Sequence, residues 1–211
     1  MGENSLLSVS APVYADAIRL CARLFGSPLE LADVEAILRP EESGVLKPLI
    51  RIEGLSREVE AMAAALVALG PSQKAEIALN RAFCQLFMGL GGPKSAAPYE
   101  SAYRGSGRLY QEPAGEMALL LRQQGMETTT DFPEAPDHLV VELALFDDAL
   151  RLGAVSGDES DMATAEGLRE RMEGWVPAFA QSCRDHDRTG FYASAASLLA
   201  ALLARTVDWP A

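Results

Sequence analysis

An all-α fold, a single globular bundle of about nine to ten helices, is what this 211-residue sequence predicts. Three observations carry it. Apolar residues recur at three- and four-residue spacing through most of the chain, and no segment sustains the alternation of a half-buried strand. Alanine and leucine carry the hydrophobic load, while aromatics are only 7% of residues, a mixture that favours helices over sheets. Glycine and proline fall between the periodic runs, where they stop helices. The length fits one domain over residues 1–211. The 49% hydrophobic content is too high for intrinsic disorder.

Taken in order, Tyr14 to Phe25 places Ile18, Cys21, Ala22 and Phe25 on one side, and Gly26 and Pro28 end the run. Leu31 to Leu38 is a short second helix closed by Pro40, and Glu41 to Gly54 is weakly patterned. Ser56 to Leu69 is a strong helix with Ser56 as its expected N-cap. Val59 holds the place where a full capping box needs Glu or Gln. After Gly70-Pro71-Ser72, Gln73 to Met88 turns Ile77, Phe83, Cys84 and Phe87 inward. Gly89 to Gln111 reads as a long loop, of the kind that carries function or serves as a hinge. Glu112-Pro113 opens a helix that ends at Gly125, and Pro136 opens a central one running to about Leu152. Ser160 or Asp161 caps the next, which ends near Gly174, with Leu168, Met172 and Trp175 facing one way. Pro177 begins a new helix or kinks the old one, and Thr189-Gly190 separates it from Phe191 to Thr206.

Composition excludes several functions. A formal net charge of −12 suits cationic partners and not the phosphates of nucleic acid. Cys21, Cys84 and Cys183 are far apart without CxxC spacing, so they read as free thiols of a reducing compartment. No secretory signal and no bilayer-length apolar run is evident, which predicts a cytoplasmic protein without membrane insertion. Gly105-Ser106-Gly107 and the stretch from Gly89 to Lys94 lack the spacing of dinucleotide or P-loop cradles.

Two stretches carry polar groups that a helical bundle alone does not need. In EAPDH, Pro136 and Asp137 suit a helix start, where N–H groups lack partners and a carboxylate is favoured. His138 is not explained that way. With Glu142 it has the i,i+4 spacing of two metal ligands, which is too few, and neither a nucleophile nor a third catalytic group accompanies it. In APYESAY, Tyr99, Glu100, Ser101 and Tyr103 either pin the loop to its own bundle or meet a partner. His186, between Asp185 and Asp187, reads as a solvated turn.

NRAFCQLFMG (Asn80 to Gly89), APYESAY (Ala97 to Tyr103), EAPDH (Glu134 to His138) and the helices from Trp175 to Leu202 together resemble the TorD/DmsD/NarJ family of redox-enzyme maturation chaperones. The stretches keep the family's order and spacing. The family's usual form is Glu-Pro-x-Asp-His; here Pro136 directly precedes Asp137. The resemblance implies a cytoplasmic chaperone that is not an enzyme and holds no cofactor of its own. Its partners would be the apo catalytic subunit of a molybdenum oxidoreductase of the dimethyl-sulfoxide-reductase type and that subunit's twin-arginine leader, before cofactor insertion. It also implies leader-binding roles for Asp137 and His138, with Glu134 and Pro136 in the same motif and Tyr99, Glu100, Ser101 and Tyr103 in the adjoining loop. Asp137 with Glu100 would receive arginine charge, and Phe87 with Tyr99 would line the apolar part. The alternatives are a NarJ-like chaperone for the N-terminal segment of a non-exported subunit, and a nucleotide-binding helical protein. The resemblance leaves open a monomer or a homodimer swapped about the 89–111 loop.

Overall fold

The computed structural model describes residues 8–105, 108–126 and 134–210. Nine helices of eight residues or more and two single helical turns make up almost all regular structure among them. The first, α1 (Ala11–Gly26), is followed by α2 (Leu31–Leu38), the turns α3 (Pro40–Ser43) and α4 (Lys47–Ile50), α5 (Ser56–Ala68) and α6 (Ser72–Leu86). After the long connection come α7 (Glu112–Gln123), α8 (Leu139–Ser156), α9 (Glu159–Glu173), α10 (Val176–His186) and α11 (Phe191–Leu203).

The most extensive helix pairings are α1 on α8 and α8 on α9, so α8 is central as its apolar width predicts. Tyr14 of α1 is fully buried; its ring meets Phe146 edge-on at 5.5 Å, and its hydroxyl donates to the Leu202 carbonyl at 2.7 Å. At the rim of the same pair, Asp147 accepts from Arg19 (2.9 Å) and Arg151 (2.9 Å). A second apolar centre joins α1, α6, α10 and α11 through edge-on contacts of Phe25, Phe83, Phe87, Phe179 and Tyr192. Arg169 reaches across from α9 to the Leu203 carbonyl at 2.8 Å, satisfying a helix-end acceptor that would otherwise lack a partner.

Several details depart from the sequence reading. Ser56 is the first residue of α5 and caps nothing; Leu55 precedes the helix in helical conformation, because the turn through Ile52 already leads into it. A capping box occurs instead at α2, built from Glu30 and Asp33. Asp158, not Ser160 or Asp161, caps α9 by accepting from the Ser160 amide at 2.7 Å. Ile77 is 70% exposed and Cys84 only half-buried, since α6 turns Ala75, Leu79, Ala82, Phe83 and Leu86 inward. A pair of three-residue parallel strands, β1 (Ser8–Ser10) and β2 (Thr206–Asp208), ties the two ends of the described chain together. Cys21 and Cys183 are buried free thiols. No helix among the described residues is long and apolar enough to cross a membrane.

Candidate functional site

The loop after α6 is folded onto the bundle. Short 3-10 turns occur at Gly92–Lys94 and Glu100–Ala102, and between them the chain runs extended beside the segment that leads into α8. The two segments meet in an antiparallel bridge at Tyr99 and His138. The Leu139 amide donates to Pro98 O (2.8 Å), the Glu100 amide to Asp137 O (3.0 Å) and the Ser101 amide to Asp137 Oδ2 (2.9 Å). The two conspicuous sequence stretches are therefore one structural unit.

Helix α8 begins at Leu139, so Pro136 and Asp137 lie in the turn before it and do not form its first turn. His138 is the N-cap. Its Nδ1 accepts from the Val140 amide at 3.1 Å, a role usually taken by a side-chain oxygen. Nδ1 can accept only when unprotonated, so the neutral ring carries its proton on Nε2. Burial pushes the imidazole pKa from its ordinary 6.5 down to about 4, against the pull of Glu134 and Asp137. Tyr99 presents its ring edge-on to this imidazole at 4.9 Å and donates its hydroxyl to the Glu134 carboxylate. Burial, reinforced by that carboxylate, raises the Tyr99 pKa, so the phenol stays a donor.

Asp137 and Glu100 are fully buried, and neither carboxylate faces solvent. Asp137 Oδ2 holds the Ser101 amide. Glu100 is gripped by Arg104 on one oxygen and by Arg171 on the other. Arg171 extends from α9 and also donates to Glu116 (2.8 Å) and Pro113 O (3.1 Å), tying the loop to α7. Behind them Glu142 is also fully buried, its Oε2 accepting from Trp175 Nε1 at 3.1 Å. Burial and the neighbouring Glu100 raise the Glu142 pKa well above the usual carboxylate range, which favours its protonated form. Tyr103 stacks on Trp175 at 5.7 Å, pinning the loop to the bundle. Among the described residues no group of three or more His, Cys, Asp or Glu side chains is suited to a metal ion.

On the outer side of this unit lies an open groove of about 460 Å³. Phe87, Phe83 and Leu86 from the end of α6 and Phe25 from the end of α1 supply apolar walls. Tyr99, His138 and Glu134 form the opposite wall, and exposed Met88 and Leu109 stand at the margins. The geometry sorts the sequence-predicted residues into two sets. Phe87, Tyr99, Glu134 and His138 line the groove; Glu100, Ser101, Tyr103, Pro136 and Asp137 do not, and four of these are bonded or stacked inside the unit behind it. Sequence reasoning missed Phe25, Met88 and Leu109 as walls and Arg171 and Trp175 as supports. An apolar residue at the end of a helix carries no signal of which cavity it faces.

The family model described as nitrate reductase delta subunit matches residues 52–181. A protein of Photobacterium profundum named chaperone protein TorD is 36% identical over 154 residues, covering 70% of this chain and 70% of its own. A chaperone protein TorD of Vibrio cholerae is 31% identical over 189 residues, covering 85% of this chain and 84% of its own. One of Salmonella schwarzengrund is 31% identical over 204 residues, covering 95% and 92%. No solved structure matches the chain.

Proposed function

The chain belongs to the nitrate reductase delta subunit family, with TorD chaperones among its relatives, and on that premise we propose that it is a system-specific molybdoenzyme chaperone. It is not an enzyme. It binds the apo catalytic subunit of a molybdenum oxidoreductase of the dimethyl-sulfoxide-reductase type in the cytoplasm. It holds that subunit's twin-arginine leader until the cofactor has been inserted.

The observation that carries the leader-binding reading is the groove itself: apolar along one wall, with a carboxylate on the other, in a chain of net charge −12. A twin-arginine leader has two adjacent guanidinium groups followed by an apolar run. Glu134, half-buried at the groove wall, is the carboxylate placed to receive arginine. The rings of Phe87, Phe25 and Tyr99 supply the surface for the apolar run. His138, neutral at physiological pH, adds no competing positive charge. Asp137 and Glu100 act from behind: they fix the bridge that carries Tyr99 and His138, so their removal would loosen the groove without deleting a peptide contact.

Calorimetric titration with a synthetic leader peptide tests this. Glu134→Gln should weaken binding about tenfold, equivalent to roughly 1.4 kcal/mol, and raised salt should weaken it further. A peptide with both arginines replaced by alanine should bind no better to the parent than to the variant. No binding of the leader at low salt would sink the leader reading. It would leave the NarJ-like alternative, an N-terminal segment of a non-exported subunit.

A further inference from the structure

A second groove, of about 670 Å³, runs along the outer face of α6 opposite the turn between α10 and α11. Its chemistry is the reverse of the first. Lys74, Ile77, Arg81 and Gln85 follow one another at three- and four-residue spacing, which places them on one helix face. That face is turned away from the buried side formed by Ala75 and Leu79. Arg188 stands on the opposite wall. Lys74, Arg81 and Arg188 are exposed, and none of them forms an ion pair among the described residues. The carboxylate in the groove, Asp187, is committed elsewhere: it accepts from Thr189 (2.8 Å) and from the Ala193 amide (3.0 Å). At the centre, Ile77 is 70% exposed.

Three cations that form no ion pair among the described residues, around an exposed isoleucine in a chain of net charge −12, form a local inversion of the protein's charge. We propose that this groove docks an acidic amphipathic segment of a partner protein, one that lays an aliphatic side chain on Ile77 and carboxylates on Lys74, Arg81 and Arg188. Charge complementarity selects the acidic partner. The aliphatic centre and the length of the wall favour a peptide over a free anion. From Gln73 to Leu86 the helix spans roughly 20 Å, the length of about four turns of a docked helix. Leu86 lines both grooves, so the acidic segment and a basic leader would lie end to end on α6. The proposal stands on the α6 residues and does not require that the other groove bind a leader.

The test uses two fluorescein-labelled synthetic helical peptides with the same leucine stripe, one flanked by glutamates and one by lysines, measured by fluorescence anisotropy on the full chain. The acidic peptide should bind the parent with affinity that falls steeply as salt rises, and any binding of the basic one should survive charge reversal on α6. The triple variant Lys74→Glu, Arg81→Glu, Arg188→Glu should weaken the acidic peptide by about tenfold or more. Ile77→Asp should weaken it separately. All four residues are exposed, and an unchanged helical circular dichroism spectrum verifies the fold. Titrating the twin-arginine leader into the same triple variant separates the two grooves, since leader affinity there should not fall. Unchanged acidic-peptide affinity in the triple variant, an equal loss of both peptides there, or complete displacement by millimolar inorganic phosphate would each overturn the proposal, the last by showing a plain anion site.

Discussion

Acidification should weaken the loop-to-helix unit through His138. The folded imidazole has a pKa near 4 against an ordinary 6.5, so between these values the folded chain binds fewer protons than the unfolded chain. Stability from this group is therefore present above 6.5 and is lost as pH falls toward 4. The whole span is about 2.5 units, on the order of 3 kcal/mol at roughly 1.4 kcal/mol per unit. At about pH 5 roughly 2 kcal/mol of it should already be gone. The structural reason is direct. A proton on Nδ1 removes the acceptor of the Val140 amide and places a cation at the positive end of α8. Urea unfolding at about pH 7.5 and about pH 5, on the parent and on His138→Asn, isolates the effect. Asparagine keeps a capping acceptor and does not titrate, and the other acid groups cancel in the comparison. The parent should lose roughly 2 kcal/mol more than the variant over this interval. Equal losses would refute the buried, neutral N-cap.

Arg171→Met leaves the fully buried Glu100 carboxylate with Arg104 alone, and should lower stability by about 3 kcal/mol in urea unfolding; adding Glu100→Gln should recover part of the loss. A loss well below about 1 kcal/mol would show that Arg104 suffices. A Cβ on Gly91 would sit 2.4 Å from Gln85 O and 2.6 Å from Lys94 O, so Gly91→Ala must displace backbone at the base of the loop. It should lower stability by about 1–3 kcal/mol and speed amide exchange in that turn, as read by mass spectrometry. The Glu142 pKa is raised in the folded state, so its contribution to stability is present at acid pH and is lost as pH rises above the ordinary carboxylate range. Glu142→Gln should flatten the fall in urea midpoint that sets in above the ordinary carboxylate range, and a profile with the parent's slope would show that Glu142 is not the group responsible.

The helical frame was legible because each helix is decided locally, by periodic apolar residues between breakers. Gly26 with Pro28, Gly70-Pro71 and Thr189-Gly190 fall at helix ends within a residue or two of their expected places. Ile77 was misplaced although the same period argues against it. It stands two residues from Ala75 and from Leu79, roughly 200° around the helix from each, and therefore on the outer face. The paired strands were not legible: three residues are too few to show alternation, and their partners lie at opposite ends of the chain. The site was half legible. PYES and PDH stand out as polar stretches, but nothing in either says that they bridge across some 35 positions. Asp137 and Glu100 read as surface acids because buried carboxylates are rare. Their burial depends on Arg171 and on the Ser101 amide, contacts that only the tertiary fold creates.

The central claim is that the groove walled by Phe87, Tyr99, Glu134 and His138 receives the leader. A photo-reactive benzoylphenylalanine placed in the apolar half of a twin-arginine leader peptide, irradiated on the full chain and mapped by mass spectrometry, tests it most directly. The adducts should fall on Phe87, Met88 or Tyr99 and should disappear when unlabelled leader competes. Adducts on the outer face of α6 around Ile77, or scattered without competition, would contradict it.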